Sequence, residues 1–405
     1  MIHQKRRAAL LEQLEPGCAL IVSTNSEKLR CGDVHYPFRA DSNFFYLTGF
    51  NEPEAVMVLT HDVYHLFLRD KDPAREIWDG ERLGVKRACS ALGADKAYAI
   101  DELTTQLGPI IDSVSAVYFD DKSTALDQQI STRLDNQVLK SANPLIHEMR
   151  LVKDESEIAM MQEAANISAK AHTLAMQNIK PGQYEYELQS IFDGFFAKHN
   201  TVHAYAPIVA GGANACVLHY VNNNQVLKPG ELVLIDAGCE LENYASDITR
   251  TFPINGKFTS AQKQIYQLVL DAQSAAIDCI KPGVRINQMH EVSSQVIKQG
   301  LMELGLIQSG EELSEFFMHG TGHWLGLDVH DVGSYKIEDE FREFTPGMIT
   351  TVEPGIYIRE NAKIDPVYHN IGVRIEDNVL VTDDGHQVLT RGVVKEINDI
   401  ENLMK

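Results

Sequence analysis

The chain has 405 residues, enough for two or three domains with cores of their own. A formal net charge of -21 excludes a nucleic-acid binder and a protein that docks on anionic membranes, since both need a basic surface. Six scattered cysteines with no Cys-x-x-Cys pair read as free, buried thiols in a reducing cytosol rather than a disulfide framework.

Residues 5–14 read as an amphipathic helix. Glu12, Gln13 and Glu15 interrupt the apolar stretch, so no signal peptide is expected. No apolar run approaches the roughly 18 residues that span a bilayer, and a cytoplasmic location is expected. Strands are expected at residues 19–23, 55–59, 63–68 and 117–119, with helices at 82–92 and 102–111. This is an α/β domain in its own right. The pattern stops at Ser141-Ala142-Asn143-Pro144, which reads as the junction.

A long helical pattern follows from Asp154 and ends at Ile179-Lys180-Pro181-Gly182, where proline and glycine stop a helix. The same four residues recur at Ile280-Lys281-Pro282-Gly283. Each copy lies between helical patterns, the later ones at residues 185–198 and 287–304. A second repeat runs alongside. Pro229-Gly230 precedes Asp236 by five intervening residues, and Pro346-Gly347 precedes Glu353 by five. Two repeats in the same order imply one α+β domain of two related halves with antiparallel sheets. A site is expected between the halves.

Asp236 ends the apolar run Leu232-Val233-Leu234-Ile235, where an unpaired charge is costly. Residues 244–254 read as the return strand, placing Ala245, Asp247 and Thr249 on one face. In the second half, Glu353 follows a similar run and Glu376 lies on a strand-like segment with Arg374 on its face. Arg374 suits an ion pair that orients a ligand carboxylate better than a surface salt bridge. His319 and His323 are four apart, but Gly320 and Gly322 disfavour a zincin helix and favour a loop. His330 and His219 add imidazoles. One histidine alone is ordinarily structural, whereas the grouping of His319, His323 and His330 points to catalysis. Four carboxylates and a histidine suit two adjacent hard divalent cations, and hence a two-metal hydrolase.

These motifs resemble the pita-bread metallopeptidases, the family of aminopeptidase P, prolidase, methionine aminopeptidase and creatinase. The resemblance covers essentially the whole chain and is nearest to the aminopeptidase P branch. It rests on His319-Gly-Thr-Gly-His-Trp-Leu-Gly-Leu-Asp-Val-His-Asp-Val-Gly333, Thr351-Val-Glu-Pro-Gly-Ile-Tyr357 and Gly372-Val-Arg-Ile-Glu-Asp377. Arg39-Ala-Asp-Ser-Asn-Phe-Phe-Tyr-Leu-Thr-Gly-Phe-Asn-Glu-Pro-Glu-Ala55, Trp78-Asp-Gly-Glu-Arg-Leu-Gly84 and Met149-Arg-Leu-Val-Lys153 extend it.

It implies an N-terminal creatinase-like α/β domain over residues 1–148, serving oligomerisation and cover of the site. It also implies a duplicated pita-bread catalytic domain over 149–405. Asp236, Asp247, His323, Glu353 and Glu376 would be the metal ligands, with two Mn2+ implied and Co2+, Fe2+ or Zn2+ allowed by the residues. His219, His319 and His330 would meet substrate and transition state, and Glu353 would also take a proton. The implied activity removes the first residue of peptides with proline second. The alternatives are an Xaa-Pro dipeptidase and, in another class, a non-catalytic peptide-binding module. Trp78 is a further candidate for the substrate wall, reaching over from a neighbouring subunit. Trp324 and Tyr357 suit such a wall and an ordinary core equally. Residues 334–345 depart from the pattern by one extra residue, and Arg342 is the only arginine there to hold the proline end. A homodimer or homotetramer is implied, with no nucleic-acid or membrane partner.

Overall fold

A computed structural model describes residues 2–405, which divide into two compact units, one ending at Arg150 and one spanning Leu151–Lys405. The N-terminal unit is built on a six-stranded sheet. Its order is Lys96–Ala99, Tyr64–Leu68, Val56–Leu59, Ala19–Ser23, Val117–Asp120, Leu139–Ser141. Ala19–Ser23, Val56–Leu59 and Tyr64–Leu68 pair antiparallel, and the outer pairings are parallel. These inner strands are buried along their whole length, as continuous apolar runs require. Helices Leu103–Ile111 and Ala125–Leu134 lay Leu103, Leu107, Ile130 and Leu134 on Ile21, Val56, Val58 and Phe67. Each such side chain contributes about 1.5–3 kcal/mol by leaving water.

Three expected boundaries shift. The first helix is Ile2–Leu11 rather than 5–14. The helix expected from residue 82 begins at Val85, because Gly84 at φ +73 is not helical. The chain does not break at 141–144, where helix Asn143–Leu151 begins. Pro144 occupies its first turn, and a missing N–H there costs nothing.

In the C-terminal unit, helix Glu155–Asn178 starts from Asp154, whose side chain accepts from the Ser156 and Glu157 amides. Helices Glu185–Lys198, Ser260–Asp278 and Asn287–Glu303 follow. They pack Phe192, Phe196, Ile265, Val269, Ile297 and Leu301 onto Val233, Ile235, Phe252 and Val373 of the sheets. All strand pairs here are antiparallel.

The duplication is visible in the hydrogen bonds. Gly182 N donates to Leu227 O and Leu227 N to Gln183 O, both at 2.8 Å. In the second half, Gly283 N donates to Phe344 O at 3.0 Å and Phe344 N to Val284 O at 2.8 Å. The repeated Ile-Lys-Pro-Gly turn therefore clips the chain just ahead of Pro229-Gly230 in one half and Pro346-Gly347 in the other.

A buried charged knot braces the second half. Asp377 accepts from Arg250 Nη2 and from Lys395 Nζ, each at 2.7 Å, and from Gln273 Nε2 at 3.0 Å. Arg250 Nη1 also donates to the carbonyls of Thr249 and Glu376. Burial alone would raise the Asp377 carboxyl. Arg250 and Lys395 outweigh burial and hold it well below the usual carboxylate range.

Asp377→Ala is expected to destabilise the metal-free chain by about 3–5 kcal/mol near neutral pH, because the Arg250 guanidinium is left buried and unpaired. Asp377 has a depressed folded-state pKa, so its contribution is full above its unfolded value of about 4 and declines as pH falls below that. Urea unfolding of wild type and variant across pH checks both. A gap that widens toward acid would contradict the assignment.

Candidate metal centre

Each half delivers two carboxylates, one at the end of a strand and one at a break between strands. Asp236 closes strand Leu232–Asp236, and Glu353 immediately follows Ile349–Val352. The other two do not lie within continuous strands as the alternation suggested. Asp247 falls in the gap between Tyr244–Ala245 and Thr249–Pro253, and Glu376 in the gap between Ile371–Arg374 and Asp377–Val381. Where strands break, a side chain can leave the apolar layers and enter a cavity. The Asp247 break is held by Asn378, which accepts from Asp247 N at 3.1 Å and donates to Asp247 O.

His319-Gly-Thr-Gly-His323 runs as an extended loop, not a helix, beside Ile349–Val352. Thr351 N donates to His323 O at 2.9 Å and Glu353 N to Thr321 O at 2.7 Å. A Cβ on Gly322 would stand 2.0 Å from Thr351 O, so only glycine permits this approach. The approach brings His323 beside Glu353.

Asp236, Asp247, His323, Glu353 and Glu376 line one cavity of about 480 Å³, together with His219, His319, His330 and Arg374. Ligand atoms of Asp247, His323 and Glu376 all lie within 4.8 Å of one another. His323 Nδ1–H donates to Trp324 O at 2.9 Å, which leaves Nε2 facing Asp247 at 3.4 Å and Glu353 at 3.6 Å. Arg374 Nη2 donates to Asp236 at 2.7 Å. Arg374 Nε donates to Thr249 Oγ1 at 3.1 Å, and that hydroxyl donates to Glu376 at 2.7 Å. The arginine thus holds one carboxylate directly and a second through a threonine.

Four carboxylates, Asp247 and Glu376 buried and Asp236 and Glu353 half-buried, here meet one guanidinium. Burial and mutual repulsion push Glu376 well above the usual carboxylate range and Glu353 up to about 7, and they raise Asp236 as well. Burial would lower the His323 imidazole, but the Asp247 and Glu353 carboxylates push it up to about 9. Such a cluster calls for positive charge, and an oxygen-rich set with one imidazole nitrogen matches hard divalent cations.

The remaining candidates separate. His319 donates from Nδ1 to Gly320 O at 2.7 Å, and its Nε2 accepts from Tyr357 OH at 2.8 Å, so both ring nitrogens are engaged. Among the described residues, His219 and His330 have no hydrogen-bond partner within the protein. Tyr357 is buried behind the cavity, between His319 and Arg374. Trp324 is in the core at 1 % exposure, and Tyr335, stacked on it at 5.4 Å, lines the cavity instead. Arg342 does not line the cavity and donates to Ser334 O at 2.9 Å. Trp78 stands 83 % exposed on helix Pro73–Asp79 of the N-terminal unit. Sequence reasoning missed Tyr205, whose hydroxyl lies 2.6 Å from both Asp236 and Asp247. It also missed Tyr335 and Leu218. Tyr205 sits in the short stretch His203-Ala-Tyr-Ala-Pro207, which carries no periodic signal.

Residues 159–383 match the model of metallopeptidase family M24, and residues 3–118 match that of the aminopeptidase P N-terminal domain. The chain belongs to metallopeptidase family M24. Within that family it is similar end to end to Xaa-Pro aminopeptidases. It is 46% identical to the Xaa-Pro aminopeptidase of Haemophilus influenzae, over 99% of this chain and 96% of that one. It is 42% identical to that of Escherichia coli, over 99% and 97%. The solved structure of Pseudomonas aeruginosa aminopeptidase PepP superposes with a TM-score of 0.97 at 43% identity, covering 100% of this chain and 99% of that one.

Adding a hard divalent cation to the stripped chain is expected to stabilise it by about 2.7 kcal/mol at a hundredfold excess over Kd. Glu376→Gln is expected to remove most of that gain. Thermal unfolding with and without the cation reads both, and an undiminished shift in the variant would take Glu376 out of the centre.

Proposed function

We propose that the chain is a metal-dependent aminopeptidase that releases the first residue of peptides with proline in second position. One observation carries this reading: a single cavity gathers five metal-type ligands and three histidines in a chain similar throughout to Xaa-Pro aminopeptidases. Asp236, Asp247, His323, Glu353 and Glu376 would hold two divalent cations. Manganese is favoured by the oxygen-rich set, which also admits Co2+, Fe2+ or Zn2+. Cations bound there would supply a lowered pKa for water and polarisation of the scissile carbonyl.

The residues of the chain do the rest. Glu353 takes a proton from the attacking water, water oxygen bonds to the carbonyl carbon of the first residue, and the bond to the proline nitrogen breaks. That nitrogen then receives the proton. His330, with its ring nitrogens free in the cavity, donates to the oxygen on which charge develops. His219 meets the substrate from the opposite half of the fold. His319 lines the cavity and also has a supporting role. Its nitrogens tie Gly320 to Tyr357, and through Tyr357 to Arg374 and Asp236, so it braces the centre. Tyr335 supplies the aromatic wall for a proline ring, with Trp324 as its support.

The N-terminal unit, near residues 1–148, serves assembly and cover. Ile77 and Trp78 are 82 % and 83 % exposed, a pair of large apolar side chains that favours a homodimer or homotetramer. Among the described residues, no helix is long and apolar enough to cross a membrane.

The stripped chain reloaded with manganese is expected to release arginine from Arg-Pro-Pro, but not from Arg-Pro or Arg-Ala-Ala. Cleavage of Arg-Pro alone would make it a dipeptidase, and no metal-dependent cleavage of any of the three would leave a binding module. His330→Ala is expected to lower kcat on Arg-Pro-Pro by about a hundredfold or more, with cation binding retained. An unchanged kcat would remove His330 from the oxyanion role.

A further inference from the structure

The duplicated halves each send one irregular segment to the mouth of the cavity, and the two are secured in different ways. Residues 217–226 and 334–343 occupy equivalent places, each leading directly into the residue, Leu227 or Phe344, that the Ile-Lys-Pro-Gly turn clips. Glu185 N donates to Gln225 O at 2.9 Å in one half, and Ile286 N donates to Arg342 O at 3.0 Å in the other. Leu218 and Tyr335 are the cavity-lining residues of the two segments, with His219 beside Leu218.

The second segment secures itself. It folds into a hairpin, Lys336–Ile337 with Glu340–Phe341, and Arg285 pairs with Glu340 at 2.6 Å. The first segment has no strand of its own, and His219 on it is exposed. Asn223 pins its far side, accepting from Val209 N and donating to Pro207 O. At Glu185 the first half has a fully buried carboxylate where the second half has Ile286. Its Oε1 accepts from Gly211 N at 2.8 Å and Asn214 Nδ2 at 2.9 Å. Its Oε2 accepts from Tyr220 OH at 2.8 Å and Gln225 N at 2.9 Å. These donors lie on both sides of His219 in sequence.

We infer that Glu185 is a positioning residue for substrate binding, holding the His219 wall of the cavity from behind. This rests on the aminopeptidase reading for its kinetic consequence, but not for its structural one. A glutamine cannot replace Glu185, because its NH2 would face two donors where an oxygen now accepts both. Hydrogen bonds to a charged group are each worth enough that losing them is expected to raise KM about tenfold. The effect falls on KM more than kcat, because no Glu185 contact reaches a metal-type ligand.

The test compares wild type, Glu185→Gln, His219→Ala and the double variant, all full-length and manganese-loaded. Hydrogen exchange at the Gly211 and Gln225 amides is read alongside KM and kcat on Arg-Pro-Pro and manganese affinity. Expected are faster exchange and a tenfold rise in KM in Glu185→Gln, manganese affinity unchanged, and little further rise in KM when the same change is made on His219→Ala. Equal rises in both backgrounds, or exchange as slow as in wild type, would overturn the inference. If Glu185→Gln does not fold, Tyr220→Phe decides. It removes one of the four donors, and a KM unchanged from wild type would count against the role. If wild type cleaves no peptide, the aminopeptidase reading fails by itself, and the exchange rates alone decide whether Glu185 holds the wall.

Discussion

The crowding of four carboxylates into one buried cavity is the constraint around which the C-terminal unit is arranged. A single carboxylate in such a place is costly, and four close together repel as well. The chain answers with a small number of well-aimed donors rather than with an equal number of cations. Arg374 binds Asp236 and reaches Glu376 through Thr249, while Tyr205 stands between Asp236 and Asp247. Behind them, Arg250 is committed to Asp377 and to the backbone carbonyls flanking the site. Full neutralisation by protein cations would leave no vacancy for metal charge. The deficit left by one arginine is what suits the cavity to divalent ions.

Duplication explains how the carboxylates converge. Each half contributes one at the end of a strand and one at a break between strands, so neither half needs to bend a continuous sheet to reach the centre. The breaks at Asp247 and Glu376 are where the strands change partners. At such a point the backbone loses ladder bonds and needs other partners, and the Asn378 side chain supplies them to both polar groups of the Asp247 backbone. The irregularity that delivers a carboxylate to the cavity has to be repaired locally.

Much of this was legible in the sequence because a carboxylate at the end of an apolar run has few structural explanations. Asp236 and Glu353 are of this kind. The twin Ile-Lys-Pro-Gly turns showed the duplication for a similar reason, since proline and glycine in that order punctuate a helix. What escaped was set by contacts between residues distant in sequence. Asp247 and Glu376 looked like members of regular strands because alternation persists through a break in pairing. Tyr205 has no local pattern, and its partners lie far along the chain. Trp324 and Tyr335 exchange places for a physical reason. A bulky indole next to a histidine suits core and cavity equally by composition, and the packing of Trp324 against Phe344 and Met348 decides for the core. The N-terminal unit was readable from its buried strands, but its last helix hid behind Pro144, a residue that breaks helices everywhere except in the first turn.

A duplicated fold also faces a difficulty. Two equivalent halves build a symmetric centre, whereas a peptide has a direction. The halves must therefore differ where substrate is met while staying alike where charge is held. The carboxylates follow this division, with Asp236 matched to Glu353 and Asp247 to Glu376. The mouth does not, because Leu218 beside an exposed histidine faces an aromatic Tyr335. The means of support differ in the same way. One wall carries its own hairpin, and the other depends on a carboxylate buried in a helix start. A wall that forms its own ladder is held by backbone bonds within the segment. A wall tied to a distant helix has its position set by the packing of that helix against the core. Direction is thus imposed on the site by two supports of different construction, beneath two surfaces of different chemistry.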